Sequence, residues 1–329
     1  MPELQIINMY MVLKAVEWTF LKEPLKRVES PTNGDVTKGP ASDVGIKRVL
    51  IDAADLAVNA RGHGWTWSHK ATFRPCKSPP KVRWFLWQLL YKLTFYDTLL
   101  WSLEHFFPDL RSPAGASIFD EAYPAPLRYA RAAYIATICA FIVYLSVELL
   151  CLASAIVFCV ILRQDSVQWP PSSDHPWLST SLQEFWGRRW HQFFRHVFVS
   201  IGARPMTWLF GRVGGVLGAF AVSALVHDWG LWSLGRGTDP LPVGGFFIMM
   251  GVGIVMEGVW EKATGKRVGS ALGWVWTMGW TMGWGSLLID AWTRRGFVGT
   301  DYLHFACRPG KAIAELLLLL LKDVSGWDI

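Results

Sequence analysis

The chain has 329 residues and a formal net charge of +6, from 32 Lys+Arg against 26 Asp+Glu. Hydrophobic residues make up 52% and charged residues 18%, and mean hydropathy is +0.25. This balance argues against a pair of soluble domains, and basic residues scattered between apolar runs argue against nucleic acid as a partner. It suits a polytopic membrane domain, in which 20 tryptophans can sit at the lipid–water boundary and 30 glycines can let helices approach.

Residues 4–20 predict a short helix, interfacial rather than spanning because it carries Lys14 and Glu17, and they lack a small-residue cleavage site. Residues 22–83 hold twice as many basic as acidic residues. Within them "ESPTNGDVTKGPASD" predicts a loop, and "VLIDAADLAVNARGHGW" a short amphipathic helix ending in a Gly-rich turn. The chain thus divides into 1–83, an apolar start plus a basic loop of cytosolic type, and 84–329, a membrane domain.

The expected fold is all-α, a bundle of about five to seven membrane helices with one short interfacial or re-entrant helix. Residues 84–107 form a span broken by Lys92, Asp97 and Glu104; the two acids could pair with Lys92 or Arg83. Residues 127–162 form an apolar run without a turn signal, read as one long helix, since a span needs roughly 20 residues. Residues 209–227 and 241–260 are each about one membrane thick; Glu257 and Glu261 lie at the end of the second, and Glu261 with Lys262 and Lys266 reads as boundary solvation. Residues 271–292 contain "GWVWTMGWTMGWGS", read as small-residue helix packing in preference to a stacking groove, and residues 312–321 form a last apolar helix. The five cysteines include no C-x-x-C pair and read as free packing thiols.

Two features could carry chemistry. "LQEFWGRRWHQFFRHVF" (182–198) follows a Pro/Ser/Asp loop, and Ser181 with Glu184 has the spacing of a capping box, so a helix is expected from Leu182 onward. At helical spacing Trp186, Trp190, Phe193 and Val197 share one face, and Arg188, His191 and Arg195 another. A membrane-surface anchor and an active-site helix both fit that pattern. "AVSALVHDWG" (221–230) places His227 at the end of an apolar span. An imidazole at membrane depth stays neutral and able to accept a proton, whereas one at the boundary is merely wet, and spacing leaves both open. Asp228 or nearby backbone could orient the ring. Ser223, four residues earlier, makes a Ser–His pair conceivable, although helix-borne hydroxyls usually bond their own backbone. Eight scattered histidines include no H-x-x-x-H or H-x-x-H-H cluster, so no metal is expected. "RGHGW" (61–65) reads on spacing as a surface turn.

"LQEFWGRRWHQFFR", followed 36 residues after His191 by His227 in "SALVHDWG", resembles the wax-synthase-like branch of the membrane-bound O-acyltransferases. "RGHGW" resembles an element of the branch's fungal members, which often acetylate terpenoid or meroterpenoid alcohols. The resemblance covers about residues 55–325 and implies a helical bundle around a reaction centre. In it His227 is the general base, His191 positions or polarises the acyl carbonyl, and Trp186, Arg188, Arg189 and Trp190 form the surrounding motif. Arg188, Arg189 and Arg195 would attract coenzyme A phosphates. It implies no bound cofactor. The co-substrate is acyl-CoA, acetyl-CoA in first place; the partners are a lipophilic alcohol and membrane lipid; the location is integral to a membrane, that of the endoplasmic reticulum.

Overall fold

The computed structural model describes residues 2–19, 25–26, 46–58, 62, 65, 80–161, 163–164, 166, 169–192, 194–298 and 308–325. Two short helices lead, α1 (Pro2–Thr19) and α2 (Ile46–Val58). The long helices α3 (Val82–Phe106) and α4 (Ala125–Ile161) run antiparallel, with Phe85 against Leu152, Tyr96 against Leu145, and Leu103 near Ile135. α4 is one unbroken helix of 37 residues, about 55 Å long, as its missing turn signal predicts. Lys92 pairs not with an acid of its own helix but with Glu148 of α4, at 2.6 Å. Asp97 and Glu104 instead receive Arg308, at the start of α10 (Pro309–Ser325).

The second half holds α5 (Leu182–Glu184), α6 (Arg195–Val197), α7 (Arg204–Ser233), α8 (Pro240–Thr264) and α9 (Ser270–Arg294). α6 passes through a π-helical turn, Phe198–Ala203, into α7. This run is not one straight span. Phe210 and Gly211 leave helical space, and Gly211 sits at φ 64°, ψ −160°, a region that glycine enters without a Cβ clash. The residues on either side then lie against one another. Gly202 backs onto the carbonyl of Gly218, Thr207 meets Gly215, and Met206 meets both Gly214 and Gly218. Residues 195–209 and 212–233 are therefore two limbs of a tight helical hairpin. The sequence expectation of a span over 209–227 becomes a turn at 210–211 and a limb of about 33 Å over 212–233. His227 lies inside that limb rather than at its end.

Among the described residues, three segments are long and apolar enough to cross a membrane by length and composition: α4, the 195–233 run and α8. α3 and α9 have the 25-residue length of α8. α3, which carries Lys92, Asp97 and Glu104, and the Gly- and Trp-rich α9 are not among the three, where about five to seven membrane helices were expected. The Gly/Trp repeat packs in part, as small-residue packing would have it, and in part does not. Gly273 backs onto the Thr180 carbonyl, whereas Gly279 and Gly283 face open space. Trp276, Trp280 and Trp284 form a ladder along α9, and the Trp280 indole donates to the Met249 carbonyl of α8 at 2.9 Å.

The hairpin depends on backbone approach at Gly202 and Gly218. A Gly218→Val variant should lose about 1–3 kcal/mol of stability by overpacking. Thermal unfolding in detergent should show a clear fall for Gly218→Val and little change for Gly279→Ala; equal midpoints would mean the limbs do not pack this way.

Candidate active site

Ser181 caps α5 as its spacing predicts: its hydroxyl accepts the Glu184 amide at 3.0 Å. The reciprocal half of the box differs. The Glu184 carboxylate turns to the amide and hydroxyl of Thr180, at 2.9 and 3.2 Å. Burial alone would raise this carboxyl, but the Thr180 amide and Arg189 outweigh it and hold it below the usual carboxylate range. The amides of Leu182 and Gln183 are taken by Glu257, at 2.6 and 3.0 Å, and the Trp276 indole adds a third donor at 3.0 Å. Glu257 is 6% exposed, so it is a buried cap.

The helix expected from Leu182 onward stops early. Phe185–Arg189 forms one π-helical turn, with the Trp190 amide on the Phe185 carbonyl at 2.8 Å, and Trp190 is already extended. The cause is competition for the backbone. The Asp174 amide takes the Arg189 carbonyl at 2.8 Å, and the Gln192 amide donates to the Ser172 carbonyl at 3.3 Å. Residues 172–174 thus act as a strap beside 189–192. Glu148 anchors the strap from α4, accepting the Ser172 hydroxyl and, at 3.1 Å, the Ser173 amide. His191 sits on the break between the strap's two main-chain tethers. The helical face that would group it with Arg188 and Arg195 is not formed, and Phe193 lies outside the described residues.

His227 sits on a regular stretch of helix. Its Nδ1 lies 2.7 Å from the Ser223 carbonyl. A carbonyl only accepts, so Nδ1 carries the hydrogen, and Nε2 of the neutral ring keeps a free lone pair. Phe247 covers the ring at 4.2 Å between centroids. The orienting group is therefore the backbone of Ser223, not its hydroxyl; Asp228 instead accepts the Asp239 amide at 2.6 Å.

Both histidines line one cavity of about 710 Å³, bounded by α4, the 182–199 segment, the hairpin, α8 and α9. Its walls are almost wholly apolar. Trp186 stands among Phe220, Phe246 and Phe247, and Trp190 stacks on Phe185. Burial, and then the nearby His227, push the His191 imidazole down to about 3, so the ring is neutral. Its Nδ1 is buried and has no partner. Of the residues singled out in sequence, Trp186, Trp190, His191, Arg195 and His227 border the cavity, while Arg188 and Arg189 do not. Both of the latter donate to Glu184 at 2.8 Å, and Arg189 also to the Asp174 carbonyl at 3.0 Å. Arg212, at the hairpin turn, borders the cavity unforeseen; only its position after "WLFG" hinted at it. Arg195 and Arg212 make no ion pair among the described residues. His196 bonds Glu17 of α1, which Lys14 also reaches at 3.2 Å. In "RGHGW" the Trp65 indole donates to Asp55 at 2.7 Å, and Arg61, His63 and Gly64 lie outside the described residues.

Residues 169–249 match the model of the "Membrane bound O-acyl transferase family". That stretch contains the strap, the broken helix, the hairpin and the histidine pair. The chain is similar to the long-chain-alcohol O-fatty-acyltransferase of Simmondsia chinensis, 33% identical over 133 residues, 38% of this chain and 37% of the relative. It is 36% identical over 107 residues to the probable long-chain-alcohol O-fatty-acyltransferase 3 of Arabidopsis thaliana, covering 29% of this chain and 30% of the relative. It is 26% identical over 138 residues to the acyl-CoA–sterol O-acyltransferase 1 of the same plant, covering 40% and 39%. The matched part spans well under half the length of these curated relatives. The family that the motifs resemble, the wax-synthase-like branch of the membrane-bound O-acyltransferases, is the one these similarities return.

Removing the Glu257 carboxylate would leave two backbone amides and an indole unsatisfied. Glu257→Ala should cost about 3 kcal/mol, and Glu257→Gln, which keeps one acceptor oxygen, clearly less. Thermal unfolding followed by tryptophan fluorescence should rank them in that order; no difference from the parent would remove Glu257 as the anchor of the segment.

Proposed function

We propose that this chain, with its wax-synthase-like histidine segment, transfers an acyl group from a coenzyme A thioester to the hydroxyl of a lipophilic acceptor. The observation that carries the reading is the His227 ring, locked with Nδ1–H on the Ser223 carbonyl and bordering an apolar cavity shared with His191. Nε2 of His227 takes the hydroxyl proton as the acceptor oxygen attacks the thioester carbonyl carbon. The carbonyl oxygen gains negative charge, and the neutral His191 donates an N–H to it. The carbon–sulfur bond then breaks, and the leaving thiolate recovers the proton from His227. A thioester is already activated, so no covalent enzyme intermediate is needed. The apolar walls keep water from competing with the acceptor.

Arg195 and Arg212 are the cations we assign first to the coenzyme A phosphates, because both border the cavity and neither is neutralised by a carboxylate among the described residues. Arg188, whose side chain is 49% exposed, can turn from Glu184 to the same phosphates; Arg189, at 14%, serves the fold. The Trp186 and Trp190 rings would wall the substrate.

Acetyl is our first choice of acyl group, and a terpenoid or meroterpenoid of secondary metabolism the first acceptor class, on the resemblance to the fungal members. The proposed compartment is the endoplasmic reticulum membrane. Long-chain acyl transfer to a fatty alcohol is the second reading. The names of the similar plant proteins support it, and a cavity of this volume has room for an alkyl chain. Product analysis of microsomes given acetyl-CoA or palmitoyl-CoA with lipophilic alcohols separates the two.

His227→Ala should lower transfer by about 10²–10⁴-fold while the protein still inserts in the membrane; undiminished turnover would end the general-base role. His191→Asn should keep measurable activity and His191→Leu should not, since only the amide can donate to the oxyanion. Because burial pushes the His191 imidazole down to about 3, the ring is neutral throughout pH 5 to 9, and the pH–rate profile of His191→Asn over that range should keep the parent's shape. Arg212→Gln should raise the KM for acyl-CoA several-fold with little change in kcat; an unaltered KM would return Arg212 to a structural or lipid-facing role.

A further inference from the structure

Lys14 and Glu17, the charges that mark α1 as interfacial in sequence, do not face water. They are 1% and 3% exposed. With Tyr10 they share one face of α1, at helical spacing, and that face is turned to the segment that follows His191. The Tyr10 ring stands 6.3 Å from the Phe194 ring. The Glu17 carboxylate bonds His196 Nδ1, and accepts from Lys14 at 3.2 Å and from the Ser200 hydroxyl at 3.4 Å. Burial alone would raise this carboxyl, but the His196 bond and then Lys14 outweigh it and hold it below the usual carboxylate range. His196 and Ser200 are one helical turn apart. The other face of the same turn carries Arg195, Phe198 and Val199, which border the cavity.

That turn needs support from outside. α6 is three residues long, has no side-chain cap and runs straight into the π-helical turn Phe198–Ala203, so few bonds of its own fix its rotation. Arg195 is exposed, so side-chain packing does not fix it either. A rotation by one residue's step, about 100°, would swing Arg195 off the cavity wall. An apolar contact with α1 would tolerate such slippage, whereas a buried carboxylate with its donors in place specifies one register. We propose that Glu17 is a positioning residue of the acyl-donor half of the site: through His196 and Ser200 it fixes the turn that presents Arg195 to the coenzyme A phosphates. α1 is then part of the framework of the site. This deepens the acyl-transfer reading and rests on it. It also gives His196 a use, as the handle by which the turn is held.

The test uses the full chain in lipid nanodiscs and reads the Kd for coenzyme A and for acetyl-CoA by isothermal titration calorimetry. A loss of folded protein lowers the fitted stoichiometry and leaves Kd alone. Glu17→Gln, which keeps the side-chain shape and removes the charge, should weaken binding of both ligands by about tenfold, as Arg195→Gln should. The double variant should bind no more weakly than Arg195→Gln alone, because Glu17 acts through Arg195. His196→Gln, whose amide can still donate to the carboxylate, should stay close to the parent, and His196→Leu should fall with Glu17→Gln. Where Glu17→Gln does not fold, the two His196 variants decide alone. An unchanged Kd in Glu17→Gln, a double variant in which the two losses multiply, or equal Kd values for His196→Gln and His196→Leu would overturn the proposal and leave acyl transfer standing. No binding of either ligand by the folded parent would overturn the acyl-transfer reading and this one with it.

Discussion

The cavity depends on a buried carboxylate. Residues 182–203 are not a regular helix, and a chain that leaves the helix inside a membrane protein must find partners for its own amides and carbonyls. Glu257 supplies two of them at the start of the segment, accepting the Leu182 and Gln183 amides from its place in α8. The strap at 172–174 supplies the next, through the Arg189 carbonyl and the Gln192 amide, and Glu148 fixes the strap to α4. With its backbone satisfied at both ends, the segment can break at Trp190 and hold His191 at the break. An ideal helix would have carried His191 around its own axis and spent those backbone groups on itself.

The two histidines are held by opposite means, and this separates their roles. His227 is part of a regular helix and is tied at Nδ1 to its own turn, which fixes the tautomer and leaves Nε2 as the only site for a proton. His191 is held by its main chain, and its ring is left without a side-chain partner at Nδ1. In the proposed reaction the first ring accepts the acceptor's proton and the second donates a hydrogen bond to the carbonyl oxygen. The hairpin brings them into one cavity. Its Gly211 turn reverses the chain, and the approach of Gly202 to Gly218 sets the limb that carries His227 beside the one that leads from His191. The surrounding phenylalanine and tryptophan rings keep that space apolar, which favours the neutral imidazole at His191.

Much of this was legible locally. Ser181 caps a helix because a short hydroxyl before an apolar run has few other uses, and the 125–161 helix is continuous because nothing in its sequence can turn it. The break at Trp190 was not legible, since the 182–198 stretch has good helical periodicity and the competing groups lie in a strap fixed by Glu148, from another helix. Nor was the hairpin: Gly211 is one glycine among several in an apolar run, and only its backbone angles mark it. The arginines divided in the same way. Arg188, Arg189, Arg195 and Arg212 are alike in sequence, but Glu184 engages the first two and leaves the others on the cavity wall.

The sequence by itself determined an all-α membrane architecture, the order of its helices and the identity of two histidines worth pairing. These follow from hydropathy, capping and the scarcity of ionisable groups in apolar runs, all of which act over a few residues. The tertiary structure alone decided where the 182–203 segment stops being a helix, which charged groups neutralise one another, and which buried polar atoms are left without a partner. Those outcomes are settled by donors and acceptors that meet across long sequence separations, such as Glu257 with Leu182 and Glu148 with Ser173. No local pattern records such meetings, because each partner alone looks like an ordinary solvated acid or an ordinary backbone amide.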